Sequence, residues 1–140
     1  MMLEQYYAFS IYLGLSILIL LWLAMNVGKV RGQQKISIGD GGNPHLIRAM
    51  RGQANFVELV PLALLGMLAM AALGAPAWAI HVLGVALTVG RILHGMHFVK
   101  QDAPGWQRTV GTMLTMLVLV LLALGLIAHA IYGLAFTVPV

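Results

Sequence analysis

Much of the chain's polar chemistry is gathered in "RAMRGQANFVELVP", residues 48–61. Arg48, Arg51, Asn55 and Glu58 recur there at spacings of three, four and three. On a helix turning 100° per residue they share about 80° of arc, in one stripe that rises roughly 15 Å. A shorter stripe, Arg91, His94 and Phe98, follows the same three-four rhythm further along. A guanidinium forks onto a carboxylate through two parallel hydrogen bonds, an amide both donates and accepts, and a carboxylate takes an ammonium. Arg48, Arg51 and Arg91 outnumber the single acid, Glu58, so the set carries more cation than it can neutralise. The ligand this suits is a small zwitterion with more than one carboxylate. The bland alternative is that Glu58 pairs with Arg51 or Arg91 and only locks the structure, since buried pairs can serve registry alone.

Metal chemistry fits less well. His94 and His97 lie about 60° apart around a helix, a metal site wants three or four ligands, and no H-E-x-x-H motif accompanies them. No metal is expected. The chain has no cysteine, which removes disulfides and any protein thiol nucleophile. Sulfur chemistry, if present, must use a thiol brought by the ligand.

What positions these residues is a membrane. The chain of 140 residues is 61% hydrophobic and 9% charged, more apolar surface than one domain of this size buries in water. Residues 5–28, 59–90 and 109–140 hold no Asp, Glu, Lys or Arg. A spanning helix needs about 20 mainly apolar residues, and lipid leaves backbone groups no partner outside helices or closed barrels. Runs this uniform lack the alternation of a barrel strand. The reading is therefore all-α: an integral membrane four-helix bundle, one domain over 1–140, with helices at about 5–28, 46–72, 76–98 and 107–133. The first run follows Glu4 rather than a basic stretch and is longer than a signal core, so it reads as a span and not a cleaved leader.

Glu58 then falls well inside the hydrocarbon, where a charge costs about 2.5–3.5 kcal/mol even on lenient insertion scales. Such a group must face protein or water. Pro61 removes a backbone hydrogen bond one turn further on. All eight Lys and Arg, including Lys29, Lys35 and Lys100, fall at one end of the spans. Basic loops face the cytoplasm, which predicts a multi-pass membrane protein with both termini extracytoplasmic and the two charged loops cytoplasmic. That rule also accounts for the net charge of +4 without nucleic acid. Tyr6, Tyr7, Trp78 and Tyr132 at one boundary and Trp22 and Trp106 at the other form the aromatic belts. "GDGGNP" at 39–44 reads as a turn closed by Asn43 as N-cap and Pro44 as first helical residue. His81 and His129 read as boundary or packed residues.

The stretch 48–61 resembles the signature of the membrane-associated proteins in eicosanoid and glutathione metabolism. Their Arg-x-x-x-Asn-x-x-Glu followed by Pro stands here as Arg51, Asn55, Glu58 and Pro61, with Gln53 also matching. Chain length, four spans, a basic loop after the first and an arginine on the third extend the resemblance along most of the chain. It implies a homotrimer with sites between neighbouring subunits, opening to the cytoplasmic side. Glutathione is the implied co-substrate, held by Arg51, Asn55 and Glu58, with Arg48, Arg91 and His94 around it. Gln53, about 140° from Arg48 on the helix, and Lys29 or Arg31 are implied to reach the adjacent subunit's site. Arg108, at the start of the fourth span, is the implied thiolate-stabilising residue, after a connection that looks longer than in relatives. A free thiol has a pKa near 8.5, and a guanidinium lowers it.

The chain departs from that pattern on the third span, where relatives carry Arg-x-x-Tyr-x-x-x-Tyr and this one has Arg91, His94 and Phe98. Leu59 stands where a tyrosine often follows the glutamate. The resemblance is strongest to a small bacterial inner-membrane branch. The expected function is a glutathione-dependent transferase or peroxidase acting on a small lipophilic electrophile. The alternative is a catalytically silent protein of the same fold with a binding or structural role. A transporter fits worst, because the polar stripe stops near mid-membrane.

Overall fold

The computed structural model describes residues 3–136 and shows four helices: α1 (Glu4–Gln34), α2 (Pro44–Ala72), α3 (Ala77–Val99) and α4 (Gly105–Phe136). The first two and last four residues of the expected 1–140 domain lie outside the described residues. All four helices are long and apolar enough to cross a membrane.

The main departure from expectation is the end of α1. The sequence placed a loop at 29–45, whereas the helix runs to Gln34 and stops at Lys35, whose φ of 55° is left-handed. Apolar residues mark where lipid ends, not where the helix ends. Lys, Arg and Gln are good helix formers, so the helix continues into the polar layer. The connection is only 35–43. Asn43 ends it as read: its side-chain oxygen accepts from the backbone N–H groups of His45 at 3.0 Å and Leu46 at 3.1 Å. Pro44, which lacks an N–H to satisfy, opens the helix.

α3 packs on all three other helices, and α2 does likewise, while α1 and α4 lie on opposite sides and do not pack on each other. The core along the bundle is built from Leu23 of α1, Val60 and Met67 of α2, Ile80 and Leu87 of α3, and Val118 of α4. Close crossings set the spacing. A Cβ on Gly111 would meet the Gly90 carbonyl and His94 of α3, and one on Gly52 would lie 2.6 Å from the Phe98 Cβ. These two crossings draw α4 and α2 onto α3 at the level of the polar stripes. Within α4 no described residue after Leu122 is buried, so its remaining length is surface for lipid or another chain.

Candidate functional site

Arg91 is the centre of the polar seam. It is 1% exposed, yet no carboxylate among the described residues touches it. One terminal nitrogen donates to Asn55 Oδ1 at 3.0 Å and to Thr115 Oγ1 at 3.5 Å; the other donates to His94 Nδ1 at 3.1 Å. Its guanidinium carbon lies 5.6 Å from the centre of the Phe56 ring, within cation–π range. Thr115 in turn donates to the Gly111 carbonyl at 2.9 Å, which aims its oxygen lone pairs at Arg91. Residues of α2, α3 and α4 thus converge on one cation. Because an arginine only donates, His94 Nδ1 is an acceptor and the ring's hydrogen is on Nε2.

Nearer the basic end, Arg48 closes α3. Its terminal nitrogen donates to the carbonyls of His97 and Lys100 and to His97 Nε2, and its guanidinium packs on Phe98 at 5.6 Å. A cation on the last carbonyls of a helix meets the negative end of its dipole. The second His97 nitrogen, Nδ1, pairs with the Pro104 carbonyl at 3.2 Å. By the same donor logic His97 carries its hydrogen on Nδ1, and it ties the α3–α4 connection to α2 through Arg48. His94 and Phe98 stack with ring centres 4.8 Å apart, so the two expected site residues on α3 pack against each other.

The α2 stripe is therefore divided. Its inner edge, Arg48 and Asn55, is bonded to α3. Its outer edge is not: Arg51 and Glu58 are exposed, and neither has a hydrogen bond or ion pair among the described residues. The pairing of Glu58 with Arg51 or Arg91 does not form. Gln53 is half-buried on the opposite flank of α2 without a side-chain partner. Arg31 is occupied within its own chain, donating to the carbonyls of Ile36 at 3.5 Å and Gly39 at 2.8 Å and to Met50 Sδ at 3.6 Å. Arg108 is exposed and lines a hollow of about 550 Å³ with His97, Gly105, Thr109, Thr112 and Met113. His97 thus stands between the arginine that holds it and the hollow that Arg108 faces.

Sequence reasoning passed over Thr115, Phe56 and the structural part of His97. Thr115 had a signal, a hydroxyl within the otherwise apolar fourth span. Phe56 had none beyond its place beside Asn55.

A four-helix membrane-spanning protein with a cationic seam held between α2, α3 and α4 is the class these features define. The chain belongs to the MAPEG family, whose model matches residues 9–128. It is also 38% identical over 90 residues to "Inner membrane protein YecN" of Escherichia coli strain K12, covering 63% of this chain and 69% of that protein. The protein of the same name from Escherichia coli O6:H1 strain CFT073 matches to the same extent.

Proposed function

We propose that this protein binds glutathione between neighbouring copies of itself in the bacterial inner membrane and uses its thiol on lipophilic electrophiles, as a transferase or peroxidase. The observation that carries the reading is the divided stripe. Arg51 and Glu58, opposite charges two turns apart, stand unpaired on a surface that has to meet either lipid or another chain. Neither charge tolerates hydrocarbon. A neighbouring copy that covers this face and encloses a zwitterion satisfies both, with Arg51 on a carboxylate and Glu58 on the ammonium. In that arrangement Arg91 holds Asn55 in place, Gln53 faces a different neighbour, and Arg108 in its hollow stabilises the thiolate. The homotrimer and the roles of Gln53 and Arg108 come from the family resemblance. Arg31 would have to leave its carbonyl partners to reach a ligand, so its part in this reading is to shape the connection.

Calorimetry on detergent-solubilised protein with millimolar glutathione tests the ligand. Binding is expected, and Arg51→Ala and Glu58→Ala should each weaken it by about 10- to 100-fold, the loss of one charge-assisted contact worth about 1.5–3 kcal/mol. No heat or thermal-shift response in the native protein would end the glutathione reading.

One observation favours the catalytically silent alternative. His94 and Phe98 occupy the positions of the family's tyrosines and are stacked on each other, with His94 Nδ1 engaged by Arg91. Glutathione binding without thiolate absorbance and without conjugation of a generic aryl halide is the outcome that selects it.

A further inference from the structure

The surface of α3 opposite the polar seam carries a groove of about 490 Å³, lined by His81, Val82, Val85, Ala86 and Val89 with Leu114 of α4. Its lining is ordered by polarity. His81 lies one helical turn inside the start of α3, close to the exposed Trp78 that marks the membrane boundary. Everything deeper is apolar, and Val89 is about 12 Å further along the helix.

His81 is not a loose surface ring. Its Nδ1 is 2.8 Å from the Tyr12 hydroxyl, and the two rings meet edge to face at 5.7 Å. Tyr12 is 5% exposed and is seated against Gly84, where a Cβ would collide with its ring. The phenol has no other hydrogen-bond partner among the described residues. A buried O–H with no other acceptor is satisfied only by donating to Nδ1, and the tautomer that accepts it carries the imidazole hydrogen on Nε2. In that tautomer Nε2–H is a donor with no partner among the described residues, on a ring that borders the end of the apolar channel. A donor facing hydrocarbon is costly unless something there accepts from it.

We propose that this groove is a lipid site, in which the ester carbonyl of a diacyl glycerolipid accepts a hydrogen bond from His81 Nε2 and the acyl chain below it lies along Val85, Val89 and Leu114. The order of groups fits that occupant: an acceptor at the boundary of the hydrocarbon, then an unbroken apolar chain running toward mid-membrane. Tyr12 is the positioning residue, because it fixes both the tautomer and the direction of the donor. The site is separate from the α2 stripe and does not depend on the reading of that face.

Competition between dioleoyl phosphatidylethanolamine and its dioleyl ether analogue tests the carbonyl directly, since the two lipids differ only in that acceptor. Native mass spectrometry of the purified protein, equilibrated with both at equal concentration, is expected to show the ester form retained several-fold over the ether. His81→Phe, which keeps an aromatic ring of similar bulk, should abolish the preference, and Tyr12→Phe should weaken it. His81→Gln should restore part of it through its amide N–H, which separates loss of the donor from loss of the fold. Equal retention of ester and ether by the native protein overturns the proposal. So does a preference that survives His81→Phe, or a groove that retains neither lipid because another chain covers it.

Discussion

A guanidinium that is 1% exposed, with no acid beside it among the described residues and with its Nε unpartnered, depends on the contacts of its two terminal nitrogens and the ring face it meets. Asn55, His94 and Thr115 supply oriented lone pairs, and Phe56 supplies a ring face. That leads to an asymmetric expectation. Removing the cation, as in Arg91→Met, removes its desolvation cost along with its bonds, whereas Asn55→Leu leaves a buried charge short of an acceptor. Asn55→Leu should therefore destabilise the fold by more, about 1–3 kcal/mol beyond Arg91→Met, and the two changes should be strongly non-additive. Unfolding of the solubilised protein by denaturing detergent measures both. Equal losses that simply add would mean that Asn55 and Arg91 are not coupled. The stripe itself was legible, because charged residues at helical spacing inside an apolar run admit few other readings. Its division was not. Which of Arg48, Arg51, Asn55 and Glu58 meet α3 depends on how α2 is rotated against it, and one strand of sequence does not encode that angle visibly.

The rotation is decided by small residues at the crossings. No G-x-x-x-G lies inside an apolar run, which hid this in the sequence, because Gly90 and Gly111 work as a pair across two helices and not within one. Adding a methyl at Gly111 drives it into the Gly90 carbonyl and the His94 backbone, neither of which is a flexible side-chain end. Gly111→Ala should cost about 1–3 kcal/mol, the usual penalty of overpacking. It should also loosen the bonds that Arg91 makes to His94 and Thr115. Gly125 on the same helix has nothing within 4 Å of a Cβ, so Gly125→Ala should be neutral or gain up to about 1 kcal/mol from helix propensity. The same unfolding assay compares the two, and similar effects would show that the α3–α4 crossing is not tight. The number and order of helices were plain from hydropathy. The end of α1 was not, since hydropathy reports the thickness of lipid and a helix of polar residues can continue past it.

At the scale of the whole molecule, the distribution of charge predicts an orientation that the helices alone leave open. Lys29, Arg31 and Lys35 stand at one end of α1, Arg48 and Arg51 at the adjoining end of α2, and Arg91, Lys100 and Arg108 where α3 passes to α4. The opposite end, with the short α2–α3 connection at 73–76, carries no Lys or Arg. Arg31 adds a structural reason for keeping the basic side in water, since it holds the 35–43 connection through the Gly39 carbonyl. Insertion that follows short basic loops puts this side in the cytoplasm. Because the chain has no cysteine, a single introduced thiol reports its side without background. Ser37→Cys in the long connection should resist a membrane-impermeant maleimide in intact cells and react once the inner membrane is opened. Leu73→Cys, at an exposed position in the short connection, should react from outside without that treatment. The reverse pattern would invert the protein and place the Arg108 hollow away from the cytoplasmic pool of glutathione, leaving the outward-facing Arg51 and Glu58 to serve some other ligand.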